Sequence, residues 1–137
     1  MERLEGLKAA VGEEGYLDEP AAMAPYLEEW RGRYRSETPL VLLPADTGEV
    51  AEIVTLCRQE GIGVVPQGGN TGLCGGAVAG GDGLQVILSL RRMNRIRELS
   101  TAGDFLIAEA GCVLADLQAA AEEAGRLFAL SLAAEGS

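Results

Sequence analysis

The sequence predicts a mixed α+β (α/β) domain, a small parallel βαβ unit followed by the start of a second, mixed or antiparallel sheet. Three observations carry that reading. Two apolar runs, Leu40-Val41-Leu42-Leu43 and Ile62 to Pro66, bracket a stretch with helical spacing and helix-start residues, which makes one strand–helix–strand unit. A further apolar run, Leu84 to Leu90, follows with no helical pattern before it, only a glycine-rich segment. Phe105 to Ala110 then reads as a strand, before an alanine-rich helix.

Taken in order, Leu4, Leu7 and Val11 recur at helical spacing and predict a short amphipathic helix stopped near Gly12. Pro20, after Asp18-Glu19, suits a first helical position and opens a second helix through Tyr26, Leu27 and Trp30, disturbed early by Pro25. Arg31-Gly32-Arg33-Tyr34-Arg35 reads as a solvated basic-aromatic loop. Residues 1–39 therefore form a helical N-terminal extension in this reading. Leu40 to Leu43 is a buried strand closed by Pro44. Asp46 and Thr47 are N-cap types, and Glu49 stands three residues after Asp46 as in a capping box. Val50, Ile53, Val54 and Cys57 mark the buried face of the helix, which ends at Gly61. Residues 94–99 are a short strand or turn, Val113 to Ala124 a helix stopped by Gly125, and Leu127 to Leu132 the beginning of another strand. No internal repeat or domain linker is visible.

Composition excludes several function classes. The chain has 137 residues, 11 Lys+Arg against 21 Asp+Glu, and a net charge of −10. Nucleic acid and anionic membrane surfaces require a basic face and are poor partners for it. With no histidine, neither a Ser-His-Asp nor a Cys-His nucleophile can be assembled, nor an imidazole metal site. The N-terminus, Met1-Glu2-Arg3-Leu4-Glu5, lacks the apolar core of a secretory signal, and the uncharged run from Gly61 to Gly81 is too broken by glycine to span a bilayer. Cys57, Cys74 and Cys112 are odd in number and form no C-x-x-C, so reduced thiols in a cytoplasmic protein are expected.

The segment Gln67-Gly68-Gly69-Asn70-Thr71-Gly72-Leu73-Cys74-Gly75-Gly76-Ala77 is the most informative. Ordering so much glycine costs conformational entropy, and a ligand is one thing that offsets it. Glycine lets successive backbone N–H groups converge into a phosphate-binding nest, and the absence of Asp and Glu from Gly61 to Gly81 suits an anion. Asn70 and Thr71 add side-chain donors at the apex. A Walker A loop is excluded, because no lysine follows Pro66. The Rossmann loop is excluded too, because these glycines lead into a strand and not a helix. A flexible surface loop between strands is the competing reading at this point.

The order V-V-P-Q-G-G-N-T-G-L-C-G-G-A, Val64 to Ala77, closely resembles the pyrophosphate loop of FAD-linked oxidases of the vanillyl-alcohol oxidase/p-cresol methylhydroxylase (PCMH) type. Within them it looks most like the D-lactate dehydrogenase, D-2-hydroxyglutarate dehydrogenase and glycolate oxidase flavin-subunit branch. Pro25-Tyr26-Leu27 through Trp30-Arg31-Gly32, Pro44 to Val50, Ile87 to Ile96, Glu109-Ala110-Gly111-Cys112-Val113 and Leu130 to Ser137 are also similar to the family. The resemblance implies that residues 40–137 are the N-terminal portion of a PCMH-type FAD-binding domain. Gly68, Gly69, Asn70, Thr71, Gly72 and Leu73 would then hold the FAD diphosphate, with Pro66 and Gln67 setting the mouth of the loop. Gly76 and Ala77 would lie near the same ligand, and Gly136 and Ser137 would form a second flavin-contacting segment.

Relatives that tether FAD through a histidine carry it where this chain has Asn70, so FAD is expected to be held non-covalently, with Cys74 packing and not tethering. The match weakens at Ala129, where the family often has proline. The family's next flavin segment, substrate domain and histidine-bearing C-terminal segment are not among these residues. The resemblance thus implies the FAD-binding portion of an oxidoreductase that converts a D-2-hydroxy acid (D-lactate, glycolate or D-2-hydroxyglutarate class) to a 2-oxo acid. No catalytic residue is expected here, and the isolated chain is expected to be inactive. Its partners would be FAD and the remaining C-terminal part or a partner subunit, with self-association through the unfinished sheet. A stand-alone phosphate- or nucleotide-binding module and a truncated non-catalytic remnant are the alternatives.

Overall fold

Residues 2–134, 136 and 137 are described in the computed structural model of the chain; Met1 and Glu135, the latter inside the expected 130–137 segment, lie outside the described residues. Tyr16–Leu17 (β1), Val41–Leu42 (β2), Gly63–Gln67 (β3) and Gln85–Ser89 (β4) form one sheet in the order β1-β2-β4-β3. β2 and β3 both run parallel to β4, with Val41 and Val65 flanking Ile87, while β1 closes the edge antiparallel to β2. The expected strand–helix–strand unit is therefore present, but β4 is inserted between its two strands.

Alternation along two-sided strands sets the layers. Leu40, Leu42, Val86 and Leu88 point to one face, where they share a buried cluster with Leu7 and Val11 of Glu2–Val11 (α1) and Ile53 and Cys57 of Thr47–Glu60 (α3). Val41, Leu43 and Ile87 point to the other face and pack with Met23 of Pro20–Leu27 (α2) and with Ala79. The N-terminal stretch thus shares its core with the rest of the chain.

Capping fixes α3. Asp46 Oδ1 accepts from the Glu49 N–H at 2.9 Å, and Glu49 Oε2 accepts from the Ala45 N–H at 2.7 Å, one residue before the N-cap. Gly61 ends the helix with φ +63°. Two expectations about helix faces are corrected. Trp30 is 81% exposed and lies beyond α2, which contains Pro25 and stops at Leu27. Val54 points to solvent, because Ile53 and Cys57 already complete the stripe facing the sheet.

Ile96–Ser100 (β5) and Phe105–Ala108 (β6) make a separate antiparallel pair, followed by Leu114–Glu123 (α4). The strand expected over 127–132 is absent. Gln118 Nε2 donates to the Leu130 carbonyl at 2.9 Å, and Leu127 is 86% exposed. No strand among the described residues pairs with this stretch, and an apolar run without a partner strand is not a strand.

Candidate functional site

β3 and β4 are parallel neighbours, so the chain leaving β3 at Gln67 must return the full length of the sheet before β4 begins at Gln85. Such crossovers are usually helical. Here the glycine segment is the crossover, and anchors at both ends order it. Gln67 is buried, and its Nε2 donates to the carbonyls of Tyr26 and Ala77, each at 3.0 Å. Ala79 N–H donates to Ser36 Oγ, and Gly80 N–H to Gln85 Oε1. The Tyr34 ring lies against Gly75, whose φ of +77° and lack of a side chain permit that approach. Glu29, 2% exposed, holds this supporting loop by accepting the N–H groups of Arg31 and Arg33, which also lower its carboxyl from the usual carboxylate value. The basic-aromatic stretch is solvent-facing at Trp30, Arg31, Arg33 and Arg35, as expected, yet its inner side is scaffold for the glycine loop.

The loop opens onto a cleft of about 550 Å³ at the carboxyl ends of β3 and β4, the end of a parallel sheet where ligands usually bind. One wall is Gly68, Gly69 and Asn70; the opposite wall is Ala110 to Val113 with Asp116 of α4; Arg91 and Asn94 also line the cleft. Gly111 seats the second wall against the turn that follows β4. A Cβ there would lie 1.9 Å from the Leu90 carbonyl oxygen, and the Gly111 N–H donates to the Met93 carbonyl at 2.8 Å. α4 begins beside the cleft with Val113 as N-cap, so no side chain caps its first amides.

Of the twelve residues singled out in the sequence, Gly68, Gly69, Asn70 and Ser137 line the cleft together. Ser137 lies so close to Gly69 that a Cβ on Gly69 would be 2.7 Å from the Ser137 carbonyl carbon. Pro66 and Gln67 end β3, with Gln67 committed to holding the loop. Thr71, Gly72, Leu73 and Gly76 are exposed along the crossover outside this lining, Ala77 is tied back through Gln67, and Gly136 is exposed beside Ser137. Asn70 behaves differently from expectation. Its backbone is left-handed, φ +54°, which Asn tolerates well, and its Nδ2 donates to the Glu28 carbonyl at 2.8 Å. The side-chain donor is thus used internally, while its Oδ1 is buried without a partner among the described residues.

Arg91, Asn94, Ala110, Gly111, Cys112, Val113 and Asp116 were not assigned to the site from sequence. The available signals were the similarity of Glu109 to Val113 to the family and a glycine two residues ahead of an N-cap position that carries valine, a poor cap.

These features fit an extended anionic group. No backbone N–H from Gly68 to Gly72 donates a hydrogen bond to the described residues, so the nest donors remain available. A Cβ on Gly68 or Gly72 would meet nothing within 4 Å, which leaves room beside the backbone. The orphaned Asn70 Oδ1 can accept from a ligand hydroxyl or amide. Behind the second wall, Glu109 is buried and accepts from the Arg95 backbone and side chain and from Arg97 Nη2, which also reaches Thr47 Oγ1. The Arg95 hydrogen bonds hold its carboxyl down to about 2. This ion cluster ties the β5–β6 pair to the start of α3.

The family described as "FAD binding domain" matches residues 38–137. The chain belongs to this family. Its cofactor is FAD, and the glycine loop and both walls of the cleft lie within the matched residues. A rice (Oryza sativa subsp. indica) protein named probable mitochondrial D-2-hydroxyglutarate dehydrogenase is 38% identical over 130 residues, covering 95% of this chain and 23% of the relative. A D-2-hydroxyglutarate dehydrogenase of Xanthomonas citri pv. viticola is 33% identical over 135 residues, 98% of this chain and 28% of its own. The chain thus spans about a quarter of the length of these relatives. Among solved structures, alkyldihydroxyacetonephosphate synthase superposes with a TM-score of 0.78 at 21% identity, over 90% of this chain and 27% of its own. Substrate-bound p-cresol methylhydroxylase gives 0.73 at 19%, over 90% and 24%. Both show the PCMH-type fold expected from the glycine loop. No helix of the described residues is long and apolar enough to cross a membrane.

Proposed function

We propose that this chain is the part of a D-2-hydroxy-acid dehydrogenase that holds the FAD diphosphate, with D-2-hydroxyglutarate, D-lactate or glycolate as the substrate class. The observation that carries the reading is the cleft itself: a glycine wall with unspent backbone donors facing the uncapped start of a helix, inside the matched FAD-binding residues. The names of the rice and Xanthomonas relatives support D-2-hydroxyglutarate within that class. In this reading residues 40–137 are the FAD-binding portion and the preceding stretch braces it. Gly68, Gly69 and Asn70 present backbone N–H groups to the phosphates; Gln67, Ala77 and the Tyr34–Gly75 contact keep those donors in place; Ser137 closes the rim. When bound, FAD would supply the hydride-accepting chemistry. No residue of this chain is assigned to the substrate, and FAD is held without a covalent tether from the glycine loop, since the loop has no histidine and Cys74, exposed and not packed as expected, lies outside the cleft lining.

The β5–β6 pair exposes Phe105 and Ile107 on one face, and Phe105 also lines a second cleft of about 330 Å³ with Leu127. We propose that this apolar face packs against further chain of the same protein or a partner subunit, and that the isolated chain self-associates through it. Sedimentation showing a monomer at high concentration contradicts that part. Cysteines 57, 74 and 112 are all free, which suits a reducing compartment, cytoplasmic as expected from the sequence or mitochondrial as in the rice relative's name.

The test is FAD titration of the purified chain, followed by flavin fluorescence, for wild type and Gly69→Asp. The wild type is expected to bind, and the variant to lose binding, because a carboxylate would enter the phosphate wall and crowd Ser137. Equal binding by both removes the loop from the site; no binding by the wild type refutes the reading in which this chain holds the diphosphate.

A further inference from the structure

Four arginines lie between residues 91 and 97, and three are committed to protein acceptors. Arg92 Nη1 donates to the Leu43 carbonyl at 2.8 Å, and Arg95 and Arg97 both pair with Glu109. Arg91 differs. Among the described residues it makes no ion pair; its Nη1 donates to the Tyr26 hydroxyl at 3.0 Å, and its guanidinium carbon stands 5.9 Å from the centroid of the Tyr26 ring. It also lines the cleft with Gly68, Gly69 and Asn70. Of the cleft's lining side chains it is the only cation, and Asp116 is the one carboxylate among them.

We propose that Arg91, positioned by Tyr26, is a phosphate-binding residue of the cleft and supplies the charge that the glycine loop lacks. The inference rests on the reading of the cleft as a diphosphate site. A nest of backbone amides offers direction but only partial charges, and a chain carrying −10 overall repels an approaching diphosphate. One uncompensated guanidinium beside the nest counters both deficits, with a planar donor fork that matches phosphate oxygens. Tyr26 engages only one of the five N–H groups of an arginine, so the fork stays available. The neutral partner orients the side chain without cancelling its charge, as a carboxylate would. The same residue also reaches the loop, because the Tyr26 carbonyl accepts from Gln67. α2 thereby sets the relative placement of the nest and its cation.

The test is titration of the chain with FAD and with ADP, which share the diphosphate, at low and moderate salt. Arg91→Ala is expected to weaken both ligands about tenfold, to flatten the salt dependence, and to melt within about 2 °C of wild type because the residue is exposed. Arg91→Lys keeps the charge and is expected to recover about a third of the affinity. Tyr26→Phe should cost about threefold, and the double variant Tyr26→Phe/Arg91→Ala should be no weaker than Arg91→Ala alone. Arg58→Ala, an exposed charge on α3 outside the cleft lining, is the control and stays within about twofold. A wild type that binds both ligands while Arg91→Ala binds equally well overturns this inference alone. A wild type that binds neither overturns the diphosphate reading and this inference together. Additive losses in the double variant refute the positioning role of Tyr26.

Discussion

Gly111 sits where the surrounding backbone leaves no room for a side chain. Replacing it with alanine places a methyl carbon 1.9 Å from the Leu90 carbonyl oxygen, 2.7 Å from the Leu90 carbonyl carbon and 2.8 Å from the Met93 carbonyl oxygen. All three are backbone atoms, so no rotamer change relieves the overlap. The 110–113 segment must retreat roughly 1.5 Å to restore ordinary contact. That retreat breaks the Gly111 N–H hydrogen bond to Met93, which contributes about 1 kcal/mol. Overpacking strain of about 1–3 kcal/mol adds to it, for a loss of about 2–4 kcal/mol. In a chain of this size that corresponds to a fall in Tm of roughly 10 °C. The same retreat moves the start of α4 from the glycine wall, so FAD affinity falls as well. Circular-dichroism melting measures the first effect and flavin titration the second. Gly68→Ala is the matched comparison, since its Cβ meets nothing within 4 Å; it should melt within about 2 °C of wild type yet bind FAD less well. If Gly111→Ala melts like wild type, the close approach that assembles the cleft is wrong.

Three further predictions follow from single contacts. The Glu109 carboxyl is held down to about 2 from its ordinary 4.5, so its stabilisation is full above pH 4.5 and is lost as pH falls toward 2. Urea midpoints of wild type and Glu109→Gln should therefore differ at pH 7 and converge near pH 2, and a gap of equal size at both ends contradicts the ion-cluster account. Asp46→Ala removes the N-cap of α3 and should cost about 1 kcal/mol in urea unfolding, with Asp46→Asn recovering most of it. Cys74 is exposed, whereas Cys57 is 1% exposed with its thiol pushed up by burial. A thiol reagent should consume Cys74 rapidly and reach Cys57 only on unfolding, as peptide mapping would show.

Where local chemistry dictates structure, the fold was legible in the sequence. The Asp46–Glu49 cap, the Gly61 stop and the two-sided run at Leu40 to Leu43 each specify their element without help from distant residues. Strand order was not legible. The insertion of β4 between β2 and β3 depends on where the glycine crossover lands, and nothing local records that. The absent strand at 127–132 has a similar cause, since a strand exists only with a partner. In the site, the glycine wall announced itself through composition, and Ser137 through resemblance. The opposite wall resembled the family at Ala110 to Val113 without showing a role in the site, because Gly111, Cys112 and Val113 have no charge pattern and are positioned by the backbone approach at Leu90 and Met93. The function of Arg91 was hidden among neighbouring arginines that differ from it only in their partners.

Amide chemical-shift mapping of the chain with added FAD shows which cleft takes the cofactor. The largest changes should fall on Gly68, Gly69 and Asn70 together with Gly111, Cys112 and Val113, the two walls of one cleft. Changes concentrated instead around Phe105, Leu106 and Leu127, the lining of the second cleft, would contradict it.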